Sequence, residues 1–335
     1  VVLENDHLRA RIDPDGRIGS LVHLATGREC RAEDGEPLAS LRLHDDHPHE
    51  WDAWEIDPEH EESGRVMLAS GPLETGVDGG GLRGDVRVRI DLGEAGEAGV
   101  AWITHRLEAG SPQLETILEI DWTADHRLLR LGHDLAVHAH HAACDVGFGT
   151  LLRPLARNAP IERQRFESCC HRWVAVQEPG FGVAMLNDGR YGHAVGSGFL
   201  GLTLLRSPRH PDPTMDRGHH RVRTALMPFT GDAASREAGV PAAAFRFNEP
   251  PRIVGPVAAE VHHQPLAIEA AGEANVEVTA YRPSPDGSGG VEVRVVEVRG
   301  GRGSLHIRSA AAGEAGGRTV PLPPAAVHRE RITRG

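Results

Sequence analysis

The sequence predicts an all-β protein of sandwich architecture, and three observations carry that reading. Apolar and polar residues alternate over many short stretches. Forty Gly and 23 Pro punctuate those stretches with turns. No long apolar stripe of helical period occurs, and the best helix candidate is a short one near Ala233 to Ala238. Many short strands separated by Gly/Pro turns are the pattern of stacked antiparallel sheets. A length of 335 residues allows two or three domains.

The elements follow in order. Leu8, Ala10 and Ile12 alternate with Arg9, Arg11 and Asp13, and Asp13-Pro14-Asp15-Gly16 is a turn in which Pro sets φ and Gly permits positive φ. Ile18 to Leu24 is the return strand, closed by Thr26-Gly27. Asp85 to Ile90 and Leu114 to Ile120 alternate in the same way. Val174 to Val176, the turn Glu178-Pro179-Gly180 and Gly182 to Leu186 form a second hairpin. Leu200 to Leu205 is an apolar strand. Asn275 to Ala280 and Val291 to Val298 pair across the turn Pro283-Ser284-Pro285-Asp286-Gly287. Asn248-Glu249-Pro250-Pro251 marks a boundary, giving a large β unit over 1–248 and a small one over 252–335, and the Ala/Gly-rich stretch Ala310 to Gly317 reads as a loop.

Composition narrows the function. The net charge is -12, which disfavours a phosphate-backbone partner. All 36 basic residues are Arg, a bias that fits a GC-rich genome. No apolar run is long enough to span a membrane, no signal peptide is read, and no Asn-x-Ser/Thr acceptor occurs. Cys30, Cys144, Cys169 and Cys170 are too few and too irregular for a disulfide framework. Reduced thiols in a cytoplasm are therefore expected, with Cys169 and Cys170 pointing to opposite faces of a strand-like stretch. The chain begins at Val1 rather than Met and is expected to be a piece of something longer.

The motifs divide into those that structure explains and those that chemistry explains. Gly79-Gly80-Gly81-Leu82-Arg83-Gly84 has dinucleotide spacing, but an alternating strand follows instead of a helix, so it reads as a loop. Serine-hydrolase, P-loop and zincin motifs do not occur. Among 21 His, the pair His138/His140 with His133 and His141, and the cluster His44, His47 and His49 with Asp45 and Asp46, hold metal-type donors. Spacing alone builds no site, and surface or hydrogen-bonded histidines are the preferred reading. Trp51-Asp52-Ala53-Trp54-Glu55-Ile56-Asp57 sets two Trp beside three carboxylates. One reading is a sugar site with stacking rings. The preferred one is a loop whose Trp side chains plug the core edge, because neighbouring carboxylates do not straddle a scissile bond. Asn187-Asp188-Gly189 is strong hairpin chemistry, with Tyr191 beyond it free to face a cleft. The long connection Arg206 to His220 is stiffened by three prolines; Asp216 and Arg217 either meet a sugar or brace the loop.

Taken together, several segments resemble the C-terminal half of glycoside hydrolase family 38, the class II alpha-mannosidases of bacterial type. They are Val1 to Asn5 with the Asp13-Pro14-Asp15-Gly16 hairpin, Trp51 to Asp57, Phe148-Gly149 with Arg153-Pro154 and Asn158, and Phe166-Glu167 leading to His171-Arg172-Trp173. Next come Gly180 to Gly192, Leu204 to Pro208, Pro211-Asp212-Pro213 through Asp216-Arg217-Gly218, and Ala238-Gly239-Val240. Their order is the family's from Val1 to about Ala280, with a looser match after it. His219-His220 stands where the family more often has an acidic residue and a His, and Ala159-Pro160 follows Asn158 in place of the usual hydroxyl residue.

The resemblance implies a galactose-mutarotase-like β-supersandwich followed by a small C-terminal β-sandwich. It implies a retaining exo-glycosidase acting on alpha-mannosides or oligosaccharides, whose nucleophile and zinc ligands lie in an N-terminal catalytic domain with no counterpart here. No cofactor is then expected in this chain, which alone is expected to be inactive. Its roles would be folding support, contact with that catalytic domain, homo-oligomer contacts, and part of the sugar-cleft rim through Asn187, Asp188, Tyr191, Asp216 and Arg217. Two other readings stand beside it: a stand-alone sugar-binding or mutarotase-like sandwich using His and Glu as acid and base, and a His-rich metal-binding module.

Overall fold

In the strand Arg83–Leu92 every second side chain from Val86 onward is buried, and the Arg and Asp between them are half-buried. Gly99–Glu108 repeats the pattern. The sequence alternation thus becomes one apolar face turned inward on each strand. Phe181–Asn187 is buried along its whole length, as befits a strand in the middle of a sheet covered on both faces. The structure is a computed structural model and describes residues 1–78, 80–251, 255, 266–285, 287, 290–309 and 317–332. Gly79 of the Gly-rich motif, Asp286 of the predicted turn and residues 310–316 of the Ala/Gly-rich stretch lie outside the described residues.

The chain divides into two compact units, residues 1–144 with 152–230, and residues 145–151 with 231–335. The first unit opens with a four-stranded sheet, Val2–Glu4, Leu8–Ile12, Ile18–His23 and Arg28–Glu29 in that order. Its Asp13–Arg17 turn closes by a Gly16 N–H to Asp13 carbonyl bond of 2.9 Å, with Gly16 at φ +84°.

A nine-stranded sheet follows, ordered Thr150–Pro154, His141–Asp145, Trp173–Glu178, Phe181–Asn187, Gly218–Phe229, Leu114–Trp122, Gly99–Glu108, Arg83–Leu92 and Glu74–Val77. A six-stranded antiparallel sheet is ordered Glu167–Cys169, Gly192–Gly196, Phe199–Arg206, Arg127–Asp134, Ser40–Asp45 and Arg65–Met67. Leu8 and Ile12 of the first sheet, Ile90, Ile103 and Leu118 of the second, and Leu41, Leu131 and Leu202 of the third share one buried core. Each of these larger side chains contributes about 1.5–3 kcal/mol on burial. This is the supersandwich expected.

His105 sits fully buried in that core and is fully bonded. Its Nε2 donates to the Gly16 carbonyl at 2.9 Å, so Nδ1 accepts from the Thr116 hydroxyl at 3.1 Å. Burial pushes its pKa down to about 4.

The second unit holds two three-stranded sheets: Leu266–Gly272, Gly303–Ser309 and Arg318–Leu322, and Val276–Pro283, Val291–Glu297 and Val327–Ile332. Ala270, Val293, Val295, Leu305, Ile307 and Leu322 form its core. The helix expected near Ala233 to Ala238 is a series of turns; a helix starts after them, at Val240–Asn248. Gly239 at φ +72° breaks the backbone before it, and Pro241 occupies the first turn, where no N–H is needed. This helix belongs to the second unit, so the units divide at Thr230/Gly231 whereas the sequence reading set the change at Asn248.

Candidate functional site

Two loops of the first unit, residues 46–57 and 207–217, are tied together by one half-buried arginine. Phe199–Arg206 ends the apolar strand with Arg206, whose Nε and Nη2 donate to both carboxylate oxygens of Asp46, at 2.6 and 3.1 Å. The side chains are 13% and 2% exposed, so this fork-to-carboxylate pair is held away from water. Nη2 also donates to the backbone carbonyls of Glu55, at 2.5 Å, and Asp52, at 3.3 Å. Asp52 answers from the other side: its Oδ2 accepts the N–H of Arg209 at 2.7 Å and of His210 at 3.0 Å, and lies 3.2 Å from His126 Nε2. Burial opposes ionisation of Asp52, but these donors prevail and hold its pKa below the usual carboxylate value.

The Trp51–Asp57 segment is therefore a braced loop. Trp51 takes φ +52°, a strained conformation for a residue with a Cβ. Trp51 and Trp54 are 63% and 67% exposed, which overturns the reading that they plug the core edge. Their carboxylate neighbours are not simply solvated either. Asp52 braces the loop, and Asp57 Oδ2 accepts from the His49 ring at 2.5 Å, a bond that lowers the Asp57 pKa and raises that of His49.

The five predicted rim residues do different work. Asn187 is fully buried: Nδ2 donates to the His171 carbonyl at 3.0 Å and Oδ1 accepts the N–H of Gly189 and Arg190 at 2.9 and 3.1 Å. It shapes the turn and meets no solvent. Asp188 accepts the Arg223 N–H at 3.0 Å. Asp216, at φ +62°, accepts the Arg206 N–H at 2.9 Å. Arg217 donates from Nη2 and Nε to Asp125 Oδ1 at 2.5 and 3.2 Å, and this pairing lowers the Asp125 pKa. Arg209 Nη1 holds the other oxygen of Asp125 at 2.7 Å. Tyr191 is half exposed, with its ring 5.5 Å from that of His171.

Two of these loops meet through His220, which the sequence marked only as a departure from the family pattern. His220 Nε2 donates to the Asp216 carbonyl at 2.7 Å, so its Nδ1 accepts from Arg190 Nη2 at 3.4 Å. Arg190 and Tyr191 then line a cleft of about 490 Å³ with Ile56, Ser168, Thr203 and Arg206. Arg206 and Arg190 are key residues the sequence did not single out, and Asp46 was read only as a metal-type donor beside the histidines. The available signal was an apolar strand ending in Arg at the mouth of a long loop, with an Asp-Asp pair elsewhere.

Neither histidine cluster forms a metal-type group among the described residues, although Asp45, Asp46, His47 and His49 line one pocket. His138, His140 and His141 are exposed, whereas His133 is buried and accepts the Ala39 N–H at 3.1 Å. His44 is buried against the His60 ring at 5.3 Å, its Nδ1 bonded to the His60 carbonyl at 2.9 Å, and burial lowers its pKa to about 4. Among the described residues no group of three or more His, Cys, Asp or Glu is placed to hold a metal ion. Cys169 is exposed and the other three cysteines are buried, with the Cys170 thiol hydrogen-bonded to Cys144.

The fold and these loops define a class first: a β-supersandwich carrying a polar and aromatic cleft at its loops, followed by a small β unit. The particular family follows from comparison. The profile of the glycosyl hydrolases family 38 C-terminal domain matches residues 3–214, and the chain belongs to that family. Alpha-mannosidase 2C1 of Homo sapiens is 37% identical over 251 residues, which is 75% of this chain and 24% of that protein. Alpha-mannosidase G of Dictyostelium discoideum is 31% identical over 236 residues, 70% of this chain and 22% of its own length. The chain thus spans about a quarter of these relatives. The crystal structure of an alpha-mannosidase from Enterococcus faecalis superposes with a TM-score of 0.76 over 99% of this chain and 42% of its own, at 13% identity. That last likeness establishes shared fold. Among the described residues no helix is long and apolar enough to cross a membrane.

Proposed function

We propose that this chain is the β half of a retaining alpha-mannosidase that releases terminal alpha-D-mannosyl residues from oligosaccharides in the cytoplasm. The observation that carries the reading is the family match over residues 3–214, in a chain that spans about a quarter of relatives named alpha-mannosidases. Retention requires two carboxylates about 5–5.5 Å apart across the glycosidic bond. We assign that pair, and the zinc, to the N-terminal catalytic half of the same protein. Zinc there would hold sugar hydroxyls and stabilise developing charge. Among the described residues of this chain no group of three or more His, Cys, Asp or Glu is placed to hold a metal ion.

This chain's share is positioning. Arg206 and Asp46 hold the Trp51–Asp57 loop, Asn187 shapes the turn that presents Tyr191, and Asp216 orients the loop that presents Arg217. Tyr191 and Arg217 are the residues we place on the rim, one as a stacking face and one as a donor to sugar hydroxyls. Subunit contacts between copies are part of the same proposal, and nucleic acid is not, given the net charge of -12.

The test is hydrolysis of an aryl alpha-mannoside with zinc or cobalt present. The full-length protein is expected to turn over and residues 1–335 alone are not. In the full-length protein Arg217→Ala is expected to raise KM by about tenfold. Turnover by the isolated chain at the full-length rate, or an unchanged KM in both Arg217→Ala and Tyr191→Ala, refutes the assignment.

A further inference from the structure

The cleft beside Tyr191 carries one cation that pairs with no carboxylate among the described residues of this chain. Its charged lining residues are Glu167, Arg190 and Arg206. Glu167 is ion-paired with the buried Arg130, and Arg206 is ion-paired with Asp46. Arg190 has a single side-chain bond, to the neutral ring of His220 at 3.4 Å, and among the described residues no carboxylate pairs with it.

Its position is set by the fold. The Arg190 N–H is fixed by Asn187 Oδ1, and the far end of the side chain is steered by His220, itself locked on the Asp216 carbonyl. Most of its planar donors remain available. The hydroxyl residues Ser168 and Thr203 and the half-exposed Tyr191 complete the wall. A volume of about 490 Å³ suits one sugar unit.

We propose that this cleft binds a sugar bearing an oxyanion, a phosphate, sulfate or carboxylate substituent, with Arg190 on the anion and Tyr191 against the ring. Arginine matches such groups with parallel N–H donors, and an aromatic face beside it takes the apolar side of a pyranose. The assignment to a sugar rests on the function proposed above; the assignment to an anion rests on Arg190 alone.

The experiment measures binding to the full-length protein by titration calorimetry, using mannose, mannose 6-phosphate and inorganic phosphate. Mannose 6-phosphate is expected to bind about tenfold tighter than mannose at low salt, with the advantage shrinking as salt rises. Arg190→Ala is expected to abolish the advantage, and Arg190→Lys, which keeps the charge but not the fork, to retain part of it. Equal affinities for the two sugars in the unaltered protein, or an advantage unchanged in Arg190→Ala, overturns the proposal. Inorganic phosphate binding as tightly as the sugar phosphate overturns the sugar assignment. The readout is independent of hydrolysis. An inactive protein that still prefers mannose 6-phosphate counts against the proposed function only, and an active one without the preference counts against this inference only.

Discussion

Replacing Asp46 by Asn and Arg206 by Met, singly and together, dissects the brace beneath the cleft. The Asp46 side chain is 2% exposed and accepts two bonds from Arg206, whose side chain is 13% exposed. Removing one partner of a buried ion pair costs about 3–5 kcal/mol, because the other charge stays buried without its counter-ion. Arg206 would keep the carbonyls of Glu55 and Asp52 as acceptors, which places Asp46→Asn at the lower end, about 3 kcal/mol. At roughly 2–4 °C per kcal/mol for a unit of this size, Tm should fall by about 6–12 °C. Arg206→Met should cost as much or more, since it also frees the loop carbonyls. The double variant should lose less than the sum of the singles, by about 2 kcal/mol in urea unfolding. A coupling energy below about 0.5 kcal/mol would show that the pair does not hold the loops together.

Other expectations concern the core and the thiols. His105, His133 and His193 are buried, and burial depresses their pKa values to about 4, 3 and 4. Protonation then favours the unfolded chain, so their contribution is intact above the unfolded pKa of about 6.5 and is lost as pH falls toward 4. Urea midpoints measured from pH 7 to pH 4.5 should fall, and His105→Gln should flatten that slope; a slope unaffected by the change would rule out His105 as a contributor. A Cβ on Gly182 would lie 2.4 Å from Phe229 Cζ and 2.8 Å from the Val176 carbonyl, so Gly182→Ala should destabilise by about 1–3 kcal/mol in the same unfolding assay. A neutral result there would mean that both the Phe229 ring and the neighbouring Val176 strand give way. Cys169 should react with a maleimide in the folded state, while Cys30, Cys144 and Cys170 should react only on unfolding, as mass spectrometry of the labelled peptides would show. Prompt labelling of all four would contradict the burial of those three.

What the sequence determined by itself was the part of the structure governed by local rules. Period-2 alternation over Asp85 to Ile90 and Leu114 to Ile120 marked the cores of the strands Arg83–Leu92 and Leu114–Trp122, because a pleated strand sends neighbours to opposite faces. Asp-Pro-Asp-Gly and Asn-Asp-Gly named turns, because few residues tolerate the required dihedrals. The ordered motifs were enough to indicate the family. Local rules failed where one residue outweighed the trend, as when Gly239 moved the helix to Val240–Asn248. The site lay beyond them for a different reason. Arg206 and Asp46 are 160 positions apart, and Arg190 and His220 are 30 apart. Each pair exists only because strand pairing brings distant loops to one place. Only the tertiary structure decided that Asn187 is a buried brace, that Trp51 and Trp54 face outward, and that Arg190 is left without an acid, because burial and charge pairing are properties of neighbours in space.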